Sequence, residues 1–248
     1  MKRYGLQLYT IRNCTETDTA CEKALKEVKE MGYETVQLAG SLDVIKRCVN
    51  FCEKLDLNVC GILSGWRTCQ EHGDELIALL KHCGGKDLGM SNMTTEKTTM
   101  LEFIDFANAL AEKTNKNGIT LSYHNHSTEF VRTEDGSTLM DLLQEKFNKE
   151  LIYFMPDIFW LQYAGIDVKQ FIADNSERIK LVHLKDMQFF PKGPDFAALG
   201  EGNMDISGIV KVSEDCGICD FIVEQDHCGD CDPMDAIKTS IDYLKNIK

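Results

Sequence analysis

The sequence predicts a closed (β/α)8 barrel, a TIM barrel, from three observations. Strand-like and helix-like segments alternate strictly, the strand-like ones number eight, and together they use the whole 248-residue chain with no linker or low-complexity stretch. Barrels of this class run to about 250 residues. Short β-branched or apolar runs place strands near Tyr4–Tyr9, Thr35–Leu38, Asn58–Leu63, Asp87–Met90, Ile119–Tyr123, Leu151–Met155, Ile179–Leu184 and Asp220–Glu224. Between them, Asp18–Met31, Ser41–Leu55, Glu71–His82, Thr95–Thr114, Leu139–Lys146 and Met234–Ile247 carry apolar residues at helical spacing, with Lys and Glu on the opposite face. The β-then-α order makes the sheet parallel. The fourth strand is the least marked, because Lys86–Met90 is short and contains a glycine. An open doubly wound sheet accepts the same alternation, but no Gly-rich dinucleotide loop is present. The expectation is one domain over residues 1–248.

Composition narrows the function. Hydrophobic residues at 43% and charged residues at 27% suit a soluble globular protein with a large core. A net charge of −13 opposes nucleic-acid phosphates and anionic lipid, so neither a nucleic-acid nor a membrane partner is expected. Apurinic-site endonucleases share this barrel, but their three-zinc design asks for more ligands than six histidines and this acidic balance offer. No apolar run approaches the roughly 18–20 residues that span a bilayer, and the expected location is cytoplasmic. The eleven cysteines are odd in number and scattered, which fits a reducing compartment.

In such a barrel the chemistry sits where strands run out at the C-terminal face. The fifth strand ends in Tyr123-His124-Asn125-His126, the sixth in Met155-Pro156-Asp157, the seventh in Val182-His183-Leu184-Lys185-Asp186 and the eighth in Val223-Glu224-Gln225-Asp226. Inward positions of neighbouring strands converge on the axis, so His124, Asp157, His183 and Glu224 can meet around one divalent ion; His126 shares the parity of His124, and which of the two is the ligand and which the acid/base or supporting group stays open at this point. Two imidazoles with two carboxylates favour Mn²⁺ or Co²⁺, with Zn²⁺, Fe²⁺ or Mg²⁺ as alternatives. Any one of these residues has an ordinary structural reading, such as a helix cap at Asp157 or Glu224. The conjunction on four consecutive strands carries the metal reading.

Those strand ends, with Leu199-Gly200-Glu201-Gly202-Asn203-Met204-Asp205, Gln7-Leu8-Tyr9-Thr10, Glu129-Phe130 and Trp160, make the chain resemble the sugar phosphate isomerase/epimerase family of xylose isomerase-like barrels over nearly its whole length. The resemblance implies one metal on the last four strands, with Asp157, His183 and Glu224 at family ligand positions. His124 stands where many members carry a glutamate. In the family's epimerases, two metal-bound glutamates exchange protons on opposite sides of the carbon next to a carbonyl, and here only Glu224 remains of that pair. Trp160 replaces a histidine common in those epimerases. Gln37 replaces a frequent glutamate, leaving a neutral hydrogen-bonding group for substrate hydroxyls.

The implied activity is isomerisation or epimerisation of a small sugar, keto-sugar or cyclitol, with a dehydratase or lyase as an alternative using the same first step. The proposed base is Glu224, then His126. Lys185 either balances an enediolate or forms a structural ion pair with an acid such as Asp186. Candidate substrate contacts are Tyr9, Gln37, Trp66, Glu129, Trp160 and Glu201, with Phe130 as a further aromatic platform or ordinary packing. The absence of a phosphate-cradling loop leans toward an unphosphorylated substrate. A catalytically degenerate sugar-binding subunit is the non-enzymatic reading, and assembly into a homo-oligomer is left open. Cys216/Cys219 and Cys228/Cys231 imitate a zinc knuckle, but the extended strand between them holds the pairs apart. Cys228 and Cys231 beside His227 stay open as an accessory metal or redox site.

Overall fold

The computed structural model describes residues 2–247. Ten strands follow in chain order: β1 (Arg3–Gln7), β2 (Thr35–Leu38), β3 (Asn58–Gly65), β4 (Asp87–Ser91), β5 (Thr120–His124), β6 (Ile152–Met155), β7 (Leu181–Leu184), β8 (Asp186–Phe190), β9 (Gly193–Ala197) and β10 (Asp220–Val223). The helices are α1 (Asp18–Met31), α2 (Leu42–Leu55), α3 (Trp66–Cys83), α4 (Lys97–Lys116), α5 (Leu139–Lys146), α6 (Ile158–Tyr163), α7 (Val168–Asn175), α8 (Ile206–Asp215) and α9 (Pro233–Asn246). Eight parallel strands pair in the order β6-β5-β4-β3-β2-β1-β10-β7. Closure between β6 and β7 rests on single bridges, Phe154 with Ile179 and Asp157 with His183, and on the His183 N–H donating to the Pro156 carbonyl at 2.9 Å. The eight-stranded TIM barrel expected from the sequence is therefore the observed fold, with a thin seam between β6 and β7.

The local chemistry explains where the helices begin. Thr17, Ser41, Asp167, Asp205 and Asp232 each accept a backbone N–H at a helix N-terminus, and Thr138 with Asp141 forms a capping box. Pro233 at the first position of α9 adds a fixed φ where no N–H is needed. No helix among the described residues is long and apolar enough to cross a membrane.

Several elements differ from the sequence expectation. The hairpin β8/β9 and the helices α6, α7 and α8 are additions, the last three having six, eight and ten residues, too few turns to stand out as periodicity. Helix α3 starts at Trp66, before the expected Glu71, and departs from helical geometry at His72. The first strand stops at Gln7, because the Gln7 side chain accepts the Tyr9 N–H and turns the chain into a 3-10 helix, Leu8–Cys14.

Two cores result. Apolar side chains between strands and helices form the larger one. Inside the barrel, Met155, Leu181 and Ile222 pack with Cys60 and Leu63. The glycine that weakened the fourth strand as a pattern is required by this interior: a Cβ on Gly89 would lie 2.9 Å from Leu63 Cδ1 and 3.0 Å from Met155 Cε. Asp87 also faces inward, accepting the Ser122 hydroxyl through Oδ1, while its buried Oδ2 has no partner.

Burial pushes the Asp87 carboxyl up to about 7, against the opposing Ser122 hydrogen bond, from an ordinary value of 3.8. A raised acid binds more protons in the folded than in the unfolded chain between those values, so its contribution to stability falls as pH rises from about 4 to 7. Asp87→Asn is expected to remove that component. Urea unfolding of variant and parent from pH 5 to pH 8 checks it: the difference in stability should move in favour of the variant with rising pH, and a constant difference contradicts the assignment.

Candidate metal centre

Strand parity builds the site in two layers. Three strand ends carry polar residues two positions apart, His124 and His126, His183 and Lys185, Glu224 and Asp226, and side chains at that spacing share a face. The lower members join Asp157, across the seam from His183. Ligand atoms of His124, Asp157, His183 and Glu224 lie within 4.8 Å of one another, and all four residues are buried. Among the described residues this is the one group of three or more His, Cys, Asp or Glu side chains so gathered.

Asp157 does two jobs. Its Oδ1 caps α6 by accepting the Trp160 N–H at 3.2 Å, and its own N–H donates to Asn125 Oδ1 at 3.0 Å. Its Oδ2 faces the cluster, 3.7 Å from His124 Nε2 and 2.8 Å from Lys185 Nζ. The lysine lies off the hydrogen-bond direction, so this buried oxygen has an ion-pair neighbour but no hydrogen-bond donor.

His183 is oriented from below. Gln37 Oε1 lies 2.8 Å from His183 Nε2 and also accepts from Gln7 Nε2 at 2.6 Å. With that oxygen as acceptor, Nε2 carries a proton, and Nδ1 faces Glu224 Oε2, 2.7 Å away. A contact that short needs a proton or a cation on the line between the two atoms.

The electrostatics favour a dication. Burial alone would raise Glu224, but Lys185 and His183 outweigh it and hold the carboxyl well below its ordinary value. Burial likewise opposes the Lys185 charge, and Asp157, Glu224 and Asp226 outweigh it, so the ammonium is held more firmly than usual. Burial pushes Asp157 up to about 6 against the pull of Lys185. Burial, with the neighbouring His183 and His126, keeps His124 well below its ordinary value, while burial and Lys185 push His126 down to about 4. Three carboxylates thus face one ammonium. The surplus of carboxylates over ammonium, an Asp157 Oδ2 without a hydrogen-bond donor and a two-nitrogen, two-oxygen donor set fit one divalent ion.

Above the cluster opens a cavity of about 410 Å³ lined by Tyr9, His124, His126, Trp160, Lys185 and Glu224, among others. His126 Nδ1 and Trp160 Nε1 are buried without a protein partner. Phe196, delivered by β9, stacks on Phe159 with centroids 4.1 Å apart and packs edge-on against Trp160, backing that wall of the cavity from behind. A larger depression of about 520 Å³ at the opposite mouth, reached by Arg3, Lys86 and Lys180, contains none of the cluster.

Other expected substrate contacts lie elsewhere. Gln37 is fully buried and engages His183, not the cavity. Glu129 is fully buried, accepting from Tyr123 Oη at 2.6 Å, the His126 N–H and Thr128 Oγ1, and so holds the turn after β5 in place. Trp66 packs edge-on against Phe103, and Phe130 packs against Phe171. Glu201 is exposed at a separate depression shared with Cys228 and Cys231. Asp186 is not the partner of Lys185: its carboxylate accepts the N–H groups of Gly200, Gly202 and Met204, which explains the Gly-x-Gly of that loop as a carboxylate cradle. All eleven cysteines are free, and Cys228, Cys231 and His227 do not converge as a three-ligand group. Asp226 is the site residue that the sequence reading did not single out. Its signal was the i, i+2 repeat shared with the other strand ends.

Residues 25–247 match the family described as xylose isomerase-like TIM barrel. The chain is 32% identical over 137 residues to an inosose dehydratase of Clostridium perfringens, a match covering 48% of this chain and 43% of that protein. The matched stretch thus spans less than half the relative's length. Among solved structures, a sugar phosphate isomerase/epimerase from Parabacteroides distasonis superposes with a TM-score of 0.78 at 23% identity, covering 100% of both chains. An L-ribulose 3-epimerase superposes with a TM-score of 0.76 at 17% identity, covering 99% of this chain and 94% of the other. At these identities the structural likeness speaks to fold.

Removing His183 or Glu224 by alanine substitution should abolish stoichiometric Mn²⁺ or Co²⁺ binding. Gln37→Leu, which frees the His183 ring to turn, should weaken binding by about 10–100-fold. Calorimetric titration of chelator-treated protein checks both, and an unchanged affinity in Gln37→Leu removes the orienting role.

Proposed function

The chain belongs to the xylose isomerase-like TIM barrel family, and we propose that it is a divalent-metal-dependent isomerase or epimerase acting on a small sugar, keto-sugar or cyclitol. The observation that carries this reading is the buried four-ligand cluster at the base of an open polar and aromatic cavity. A Mn²⁺ or Co²⁺ ion held by His124, Asp157, His183 and Glu224 would supply Lewis acidity at the substrate carbonyl.

The chain's own groups supply the proton chemistry. Glu224, or His126 through its unpartnered Nδ1, takes the proton from the carbon next to the carbonyl; the C–H electrons become the carbon–carbon double bond of the enediolate and the carbonyl π electrons move onto the oxygen. The Lys185 ammonium balances that oxyanion from the same cavity. Return of the proton to the neighbouring carbon, with the hydroxyl proton passing to the former carbonyl oxygen, gives the isomer; the epimer needs a proton delivered to the same carbon from the opposite face by a second group. Trp160 and Tyr9 offer apolar surface to a sugar face, with Trp160 Nε1 free for a hydroxyl.

A second outcome of the same first step is dehydration. Two features favour it: the likeness to an inosose dehydratase, and an imidazole at His124, which leaves Glu224 without a facing glutamate to return a proton. In this outcome His126 is the base of the first step; the oxyanion then re-forms the carbonyl, the enediolate double-bond electrons shift to form a double bond to the next carbon, the C–O bond there breaks, and the hydroxyl leaves as water with the proton that His126 had taken.

Metal-loaded protein incubated in D₂O with keto-sugars and inososes is expected to incorporate deuterium next to the carbonyl or to release a dehydrated product. His126→Asn should slow that exchange by about 100-fold or more while leaving metal content intact. No deuterium and no dehydration across the panel in fully loaded protein would sink the reading.

A further inference from the structure

Lys185 is fully buried among three carboxylates, with Nζ 2.8 Å from Asp157 Oδ2, 3.1 Å from Glu224 Oε2 and 2.7 Å from Asp226 Oδ1. Only the Asp226 contact has hydrogen-bond geometry. The other two oxygens are those turned toward the histidines: Asp157 Oδ2 faces His124 Nε2, and Glu224 Oε2 faces His183 Nδ1. The ammonium therefore draws on the same two oxygens that the metal centre would use. Two cations sharing two oxygens in a dry site repel strongly.

We propose that metal binding and Lys185 are coupled through Asp226, an inference that rests on the metal centre described above. The ion displaces the ammonium from Asp157 and Glu224 toward Asp226, which borders the cavity, and so turns Lys185 into a cation facing the substrate oxygen. Charge balance supports the division. Asp157 and Glu224 neutralise a dication, leaving Lys185 and Asp226 as a separate neutral pair. The ring faces of Trp160 and Phe196, with centroids 6.0 and 5.9 Å from Nζ, favour a cation on that side. Asp226 is then a positioning residue that acts through Lys185.

The test is a double-mutant cycle read by metal affinity. Chelator-treated wild-type protein and its Lys185→Met, Asp226→Asn and double variants are titrated calorimetrically with Mn²⁺ and Co²⁺. Lys185→Met, which removes the competing cation, should bind about tenfold or more tightly, and Asp226→Asn, which removes its alternative partner, about tenfold or more weakly. The double variant should return to within about threefold of wild type, and Asp226→Glu should behave as wild type. In chelator-treated protein Lys185→Met should also unfold at lower temperature than wild type, with the gap closing on metal addition. If Lys185→Met does not fold, Asp226→Asn carries the test alone. Wild-type affinity in Asp226→Asn, or single variants that shift in the same direction, would overturn the coupling. A wild-type protein that binds no ion at all would instead overturn the metal centre itself.

Discussion

An excess of buried negative charge at the mouth of the barrel is the constraint around which the surrounding structure is arranged. Asp157, Glu224 and Asp226 converge on one ammonium, Asp157, Glu224 and the lysine being buried and Asp226 partly exposed at the cavity. Carboxylates so placed are costly unless paired and hydrogen-bonded. The neighbouring features answer that cost. Lys185 is held protonated despite its burial, Asp157 spends one oxygen on capping α6, and Glu224 meets the His183 ring. The remaining deficit is one that a divalent ion would offset.

The supports lie below the ligands and are as specific as the ligands themselves. Gln7, Gln37 and His183 form a chain of contacts running from β1 through β2 to β7. It sets the orientation of the His183 ring. Glu129, also fully buried, pins the turn that carries His126. On the far side the 199–204 loop wraps the Asp186 carboxylate, where Gly202 leaves no room for a side chain. These polar groups have no access to substrate, yet they decide where the groups that do have access will stand.

The parts that the sequence made legible follow from periodicity. Alternation of strands and helices announced the barrel, and strand parity placed His124, His183 and Glu224 on one face, with Asp157 closing the ring. Burial could not be read the same way. Gln37 and Glu129 look like polar strand-end residues in sequence, and only packing shows that both are enclosed and engaged by neighbours. Lys185 suggested Asp186 by adjacency, whereas pairing of β7 with β10 brings Asp226 to it instead. The β8/β9 hairpin, which supplies Phe196 to the packing behind Trp160, interrupts the β/α rhythm and was hidden for that reason.

The central claim is that these four side chains bind one ion and that the cavity above them is where chemistry occurs. Anomalous diffraction from crystals soaked in Mn²⁺ or Co²⁺ tests it most directly. The account predicts a single strong peak among His124 Nε2, Asp157 Oδ2, His183 Nδ1 and Glu224, at about 2.0–2.3 Å from each. A peak at the Cys228 and Cys231 loop, or no peak in the barrel mouth at saturating metal, would contradict it.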